Sequence, residues 1–119
     1  MTGKAKRKGD LAERQAADLL TTETGYEVKR LLGAGRQEDV GDLCGVPYCC
    51  IQVADWEDKS RACLQKPREV ERQKWFSKQK FAASLIRWRG GHWRFVLTIP
   101  QFWKVLKAAI WAVEHGYKG

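Results

Sequence analysis

The side chains best placed to do chemistry lie in residues 41–56, Gly-Asp-Leu-Cys-Gly-Val-Pro-Tyr-Cys-Cys-Ile-Gln-Val-Ala-Asp-Trp. This stretch reads as two short β-strands joined by a tight turn. Asp42 opens the first strand, residues 45–48 make the turn, and residues 49–54 form the second strand. Side chains two apart on a strand share a face. Gln52 and Ala54 therefore point one way, and Ile51 and Val53 the other. A carboxylate at a strand mouth, with a polar side chain on the paired strand beside it, makes a cradle for a hard divalent cation. Such ions take several oxygen ligands and accept an amide carbonyl among carboxylates.

The elements that must position this pair can be read along the chain. Residues 10–22 form a helix in which Ala16, Ala17 and Leu20 recur at helical spacing, and Gly25 stops it. Glu13 falls on its apolar side, where an unpaired carboxylate is costly. Either a partner from elsewhere meets it, or Asp10 and Glu13 form a capping box at the helix start. Ahead of the helix, residues 1–9 are a basic arm with Lys4, Lys6, Arg7 and Lys8. The arm is either a frayed terminus or a phosphate-contacting extension. Residues 26–32 alternate as a strand. The loop Gly33-Ala-Gly35-Arg36 follows, a weak phosphate-cradling signal without a helix behind it. The acids Glu38 and Asp39 lead into the central strands.

Residues 59–80 form a second helical region, expected to break at Pro67. It carries Lys59, Arg61, Lys66, Arg68, Arg72, Lys74, Lys78 and Lys80 against Glu69 and Glu71, which is eight positive charges less two, or +6 of the chain's +8. It is either a solvated polar helix or a rail along a DNA backbone, with Trp75 or Phe76 anchoring it to the core; the concentration of charge favours the rail. Residues 81–89 and 92–99 are strands joined at Gly90-Gly91. His92 beside that turn reads as a surface residue rather than a ligand or base. Pro100 opens a last helix whose apolar stripe, Trp103, Leu106, Ile110 and Val113, reads as core or dimer contact, and Gly116 ends it.

Composition bounds these readings. The chain has 119 residues, 44% hydrophobic and 11% aromatic, which fits one folded domain with a single core. Lys and Arg total 22 against 14 Asp and Glu, a balance suited to a polyanionic partner, nucleic acid before membrane surface. No apolar run reaches a membrane span, and no apolar segment follows the basic N-terminus, so a cytoplasmic protein is expected. Cys44, Cys49, Cys50 and Cys63 contain no CxxC pair, so a structural zinc is not expected, nor is a disulfide in a reducing compartment.

Three short motifs carry a likeness. Lys8-Gly9 is followed by Glu13-Arg14 and Leu19-Leu20, then Gly41-Asp42-Leu43, then the apolar strand Ile51-Gln52-Val53-Ala54. With the element order, the chain resembles the archaeal-type Holliday junction resolvases and their phage relatives, within the PD-(D/E)XK nuclease superfamily. The resemblance implies a single nuclease-like α/β domain over residues 1–119. Its sheet would be mixed, with about five strands flanked by helices in the order αβββαββα, as in restriction endonucleases. It further implies a homodimeric hydrolase acting in DNA recombination, a structure-selective endonuclease for branched, four-way DNA that depends on Mg²⁺ or Mn²⁺. Asp42 would be the central metal ligand. Glu13 would add a carboxylate, directly or through water, and Gln52 one neutral oxygen. Asp39 or Glu38 would offset the missing charge. DNA contacts would fall to Lys4, Lys6, Arg7, Lys8, Arg36, Lys59, Arg61, Lys66, Arg68 and Arg72. The departures are specific: Gln52 stands where the family has an acid, and Ala54 where it has a lysine. Lys59 or Lys66 could supply the ammonium from the following helix. The alternative is a nuclease fold that binds DNA without cutting it, or a related nuclease acting on linear DNA.

Overall fold

Two strands with apolar side chains on both faces set the architecture. β3 (Cys49–Ala54) and β4 (Phe81–Trp88) pair in parallel over six consecutive positions, from Cys49 against Phe81 to Ala54 against Ile86. Near-continuous burial along both strands is what a sheet covered on both faces requires. The computed structural model describes residues 3–31 and 41–119, with side chains from Arg7 onward. In chain order its elements are α1 (Gly3–Thr24), β1 (Lys29–Arg30), β2 (Leu43–Cys44), β3, α2 (Lys59–Ser77), β4, β5 (His92–Val96) and α3 (Ile99–Glu114). The five strands lie in sequence order in one sheet. Every neighbouring pair except β3–β4 is antiparallel. The described residues thus form one α/β unit with a mixed five-stranded sheet and three α-helices.

Each face has its own helix. Ala12, Ala16, Ala17 and Leu20 of α1 pack with Leu43, Ile51, Val53 and Leu85. Ala62 and Val70 of α2 pack on the other face with Cys50, Ala54, Ala82 and Ile86. The expected alternation in β3 is therefore realised, Ile51 and Val53 toward α1 and Ala54 toward α2.

Several expected boundaries are corrected. The first helix starts at Gly3, not at residue 10, because Lys4, Ala5, Lys6, Arg7 and Lys8 are good helix formers even without an apolar face. Its beginning therefore takes in most of the basic segment expected as an arm. The first strand shrinks from residues 26–32 to Lys29–Arg30. The second helix runs through Pro67 without the expected break. Ala62, Val70 and Gln73 bury on either side of the proline, and the Pro67 carbonyl accepts a hydrogen bond from Gln101 Nε2 at 2.6 Å. Tertiary packing thus outweighs the lost helical hydrogen bond. Trp75 is 79% exposed and Phe76 is also exposed, so neither anchors this helix. The loop with Arg36, Glu38 and Asp39 lies outside the described residues, as do the side chains of Lys4 and Lys6.

Two backbone devices hold β2 and β3 in place. Gly41 has φ +99°, and a Cβ there would sit 2.8 Å from Cys50 Sγ and 3.2 Å from the Ile51 carbonyl. Only glycine fits this approach. Gly45 has φ +118° at the start of the turn, where a Cβ would strike the Glu27 carbonyl.

Gly41→Ala is expected to cost about 2 kcal/mol, from strain and overpacking together, read as a lowered midpoint in urea unfolding. Thiol reactivity gives a second check. Burial, then the neighbouring Cys50, pushes the Cys49 thiol up to about 11, while Cys44 is exposed. Only the thiolate alkylates, so at pH 8 mass spectrometry should find iodoacetamide on Cys44 well before Cys49. The Cys49 rate should still be climbing above pH 10.

Candidate functional site

Asp42 is clamped from three directions. Its backbone N–H donates to the Ile51 carbonyl at 2.9 Å, and its carbonyl accepts from Leu31 N–H at 2.8 Å. Its side-chain Oδ2 accepts the Val53 N–H at 2.8 Å. β2 is only two residues long, and its single registered pairing with β3 is Leu43 against Ile51. The carboxylate thus takes over the strand N–H just beyond that pairing. This fixes Asp42 beside Gln52 and Ala54.

Gln52 is 6% exposed. Its Nε2 donates to Glu69 Oε2 of α2 at 3.0 Å, and its Oε1 is buried with no hydrogen-bond partner. An orphaned buried carbonyl costs about 1–3 kcal/mol unless a water or ligand meets it.

Glu13 lies on α1 one position past Ala12. It was expected either to cap its own helix or to meet a partner. The capping box is not formed, since helix α1 begins at Gly3. Instead Arg30 of β1 donates from Nε to Glu13 Oε1 at 3.3 Å and from Nη2 to Asp10 Oδ1 at 2.9 Å. The guanidinium therefore bridges two carboxylates one helical turn apart.

One cleft of about 630 Å³ gathers these residues. Glu13, Asp42 and Gln52, expected together, all line it, with Ala54, Lys8, Arg61 and Lys66. Asp10, Asp55, Glu57 and Asp58 line it as well and were not expected there. An unbroken strand would turn Asp55 to the face opposite Gln52. β3 ends at Ala54, so strand alternation no longer governs the next residue. Asp55 is held by Lys59 Nζ at 3.3 Å and Arg87 Nη1 at 3.4 Å. Asp39 lies outside the described residues.

The cationic residues divide into two groups. Lys59, Lys66 and Lys74 pair with Asp55, Glu69 and Glu71. Arg61, Arg68 and Arg72 are exposed on α2, at spacings of seven and four that place them along one side of the helix. Arg61 and Lys66 also stand over the Trp56 ring, at 5.9 and 4.7 Å from its centroid. Arg7 and Lys8 are exposed near the start of α1.

The donor set suits a hard cation. Among the described residues no three Asp, Glu, His or Cys side chains converge closely enough to hold an ion by themselves. Mg²⁺ needs no such cage, since one or two carboxylates with waters and substrate phosphate oxygens complete its shell. Asp42 and Gln52 bring one carboxylate and one amide carbonyl to the cleft, the donor types such a shell uses. Comparison with protein-family models, curated proteins and solved structures finds no significant match to this chain. The chemistry of the cleft is what remains to identify it.

The partners that sequence reading missed are Arg30 and Glu69. Each bonds its target across 17 residues of chain, too far for any local spacing rule to signal. Replacing Arg30 with Met leaves Asp10 and Glu13 facing each other without a cation. The expected loss is about 1–2 kcal/mol, between exposed and fully buried ion pairs. Chemical unfolding of R30M against wild type measures it.

Proposed function

We propose that this chain is a metal-dependent, structure-selective DNA endonuclease with a restriction-endonuclease-like fold, which resolves four-way junctions by phosphodiester hydrolysis in the cytoplasm. The observation that carries the reading is the meeting of Glu13, Asp42 and Gln52, the last with a bare buried carbonyl, in one cleft rimmed by Lys8, Arg61 and Lys66. Hydrolysis adds water across one P–O bond, its oxygen to phosphorus and a proton to the leaving oxygen. A divalent cation supplies Lewis-acid polarisation of the phosphate and a more acidic water. Asp42 and Gln52 would hold that ion, with Mg²⁺ or Mn²⁺ matching oxygen ligands. Glu13, kept in place by Arg30, would orient a water. Arg61, Arg68 and Arg72 would track the phosphate backbone, which makes affinity fall with salt.

Symmetric incision of a junction needs two cleavage sites, so the active species in this reading is a homodimer. Helix α3 offers the surface for a second copy. Of its residues only Gln101 is buried, while Ile99, Phe102, Trp103, Leu106, Ile110 and Trp111 are exposed. The apolar stripe expected as core or dimer contact is therefore not core. Sedimentation that shows only monomer, even with junction bound, would remove the symmetric mechanism.

A second reading has its own observation. Gln52 and Ala54 leave β3 without the acid and lysine of the resembled nucleases, which fits a DNA-binding module that does not cut. A synthetic four-way junction and a matched linear duplex, each with Mg²⁺, Mn²⁺ or chelator, separate the readings. Wild type should make paired nicks in the junction that require metal, and Asp42→Asn should lower the rate at least about 10²-fold. Tight junction binding with no cleavage under any metal would favour the binding module, and preference for DNA ends would favour a nuclease of linear DNA.

A further inference from the structure

The strand that faces the cleft lacks a charged residue at positions 52 and 54, and helix α2 brings two charged side chains to the same place. Glu69 Oε2 accepts from Gln52 Nε2 at 3.0 Å and from Lys66 Nζ at 3.1 Å. One carboxylate oxygen thus joins the amide to the ammonium. The arrangement decides which end of Gln52 faces where. An ionised carboxylate only accepts hydrogen bonds, so the amide nitrogen must turn toward Glu69. The carbonyl end is then left buried and without a hydrogen-bond donor, on a side chain that lines the cleft with Asp42.

Lys66 is fixed as firmly. Its side chain is 12% exposed, its Nζ lies 4.7 Å from the Trp56 ring centroid, and it lines the cleft that holds Asp42 and Gln52. Lys59, the other lysine considered from the sequence, is held by Asp55 and lines an adjoining groove beside Arg87 and Trp88, which shares Lys8, Asp55 and Glu57 with the cleft.

We infer that α2 supplies what β3 lacks. Lys66 provides the ammonium that faces the metal and phosphate position, and Glu69 is a positioning residue that locks the Gln52 carbonyl toward the cation. The inference rests on the metal-site reading above. It assigns Glu69 a role through Gln52, not contact with substrate. The spacing of three residues puts Lys66 and Glu69 one turn apart on α2, so a single helix carries both.

Titration of the nucleic-acid-free protein with Mn²⁺ alone, followed by electron paramagnetic resonance, tests this without relying on cleavage. Glu69→Gln removes the constraint on the amide, because a neutral amide can accept or donate toward Gln52. Mn²⁺ affinity should fall about 10-fold, as for other residues that orient a metal ligand, and Glu69→Asp should recover part of it. Lys66→Met removes a positive charge beside the cation, so Mn²⁺ should bind about threefold to tenfold tighter. Junction cleavage by this variant should fall about 10²-fold in kcat with little change in KM, and Lys66→Arg should restore part of the rate.

Wild-type Mn²⁺ affinity in Glu69→Gln would overturn the positioning role. Unchanged affinity in Lys66→Met would overturn the placement of its ammonium, and so would wild-type kcat. If wild type binds Mn²⁺ but leaves junctions intact, the endonuclease reading fails while the Mn²⁺ shifts still decide the inference. If wild type binds no Mn²⁺, the inference falls with the metal site.

Discussion

The hydrogen bond from the Val53 N–H to the Asp42 carboxylate is the constraint on which the site depends. β2 is too short to hold its own position, with one registered pairing to β3. A side-chain acceptor continues the strand contact where the backbone pairing ends. Gly41 makes this possible by letting the chain approach Cys50 and Ile51 more closely than any residue with a Cβ allows. The same bond that stitches the sheet therefore sets the direction of the Asp42 carboxylate, which lines the cleft with Gln52. A buried acceptor that meets a strand N–H is stabilising, whereas either group left unmade would carry a desolvation cost. Structure and candidate chemistry are coupled through a single pair of atoms.

Electrostatics in the cleft follow a consistent arrangement. Carboxylates from α1, the residue just before β2 and the segment after β3 line it, and most of those with a defined partner meet a cation drawn from another element or the next turn. Arg30 serves Asp10 and Glu13, while Lys59 and Arg87 serve Asp55. The net charge of +8 is therefore not spread evenly as free cations. Some of the 22 Lys and Arg pair with acids inside the fold, and the exposed arginines of α2 are among those that face outward. This pattern puts six carboxylates in the lining of the cleft and basic side chains on the exterior of the same fold.

Helix α3 stands apart from this economy of contacts. Its start is well made: Thr98 Oγ1 accepts the Gln101 N–H at 3.3 Å, and Gln101 Oε1 accepts the Thr98 N–H at 2.8 Å. Gln101 then reaches across to the Pro67 carbonyl and to Glu71 Oε2 at 3.1 Å. One buried glutamine thus caps the helix and ties it to α2. Burial pushes the Glu71 carboxyl up, but hydrogen bonds from Lys74 and Gln101, together with the charges of Lys74 and Lys104, outweigh it and hold the carboxyl below its ordinary value. Beyond this joint the helix keeps its aromatic and aliphatic side chains in solvent, a larger apolar display than isolated surface residues account for.

The amino-acid sequence by itself determined the local geometry around the candidate site. The turn over residues 45–48, the strand Cys49–Ala54, the shared face of Gln52 and Ala54, and a hairpin turning at Gly90-Gly91 all follow from short-range rules. Glycine, proline and the two-residue pleat act within a few positions, so they are legible without a partner. The ends of α1, the passage of α2 through Pro67 and the exposure of Trp75 and α3 were decided only by tertiary structure. In each case packing, or its absence, outweighed local preference. The same holds for the bonds that give the cleft its character. Arg30 to Glu13 and Gln52 to Glu69 each span 17 residues, and they form because α1 and α2 dock on opposite faces of one sheet. Side-chain pairing at that range depends on where whole elements come to rest, which no spacing along the chain encodes.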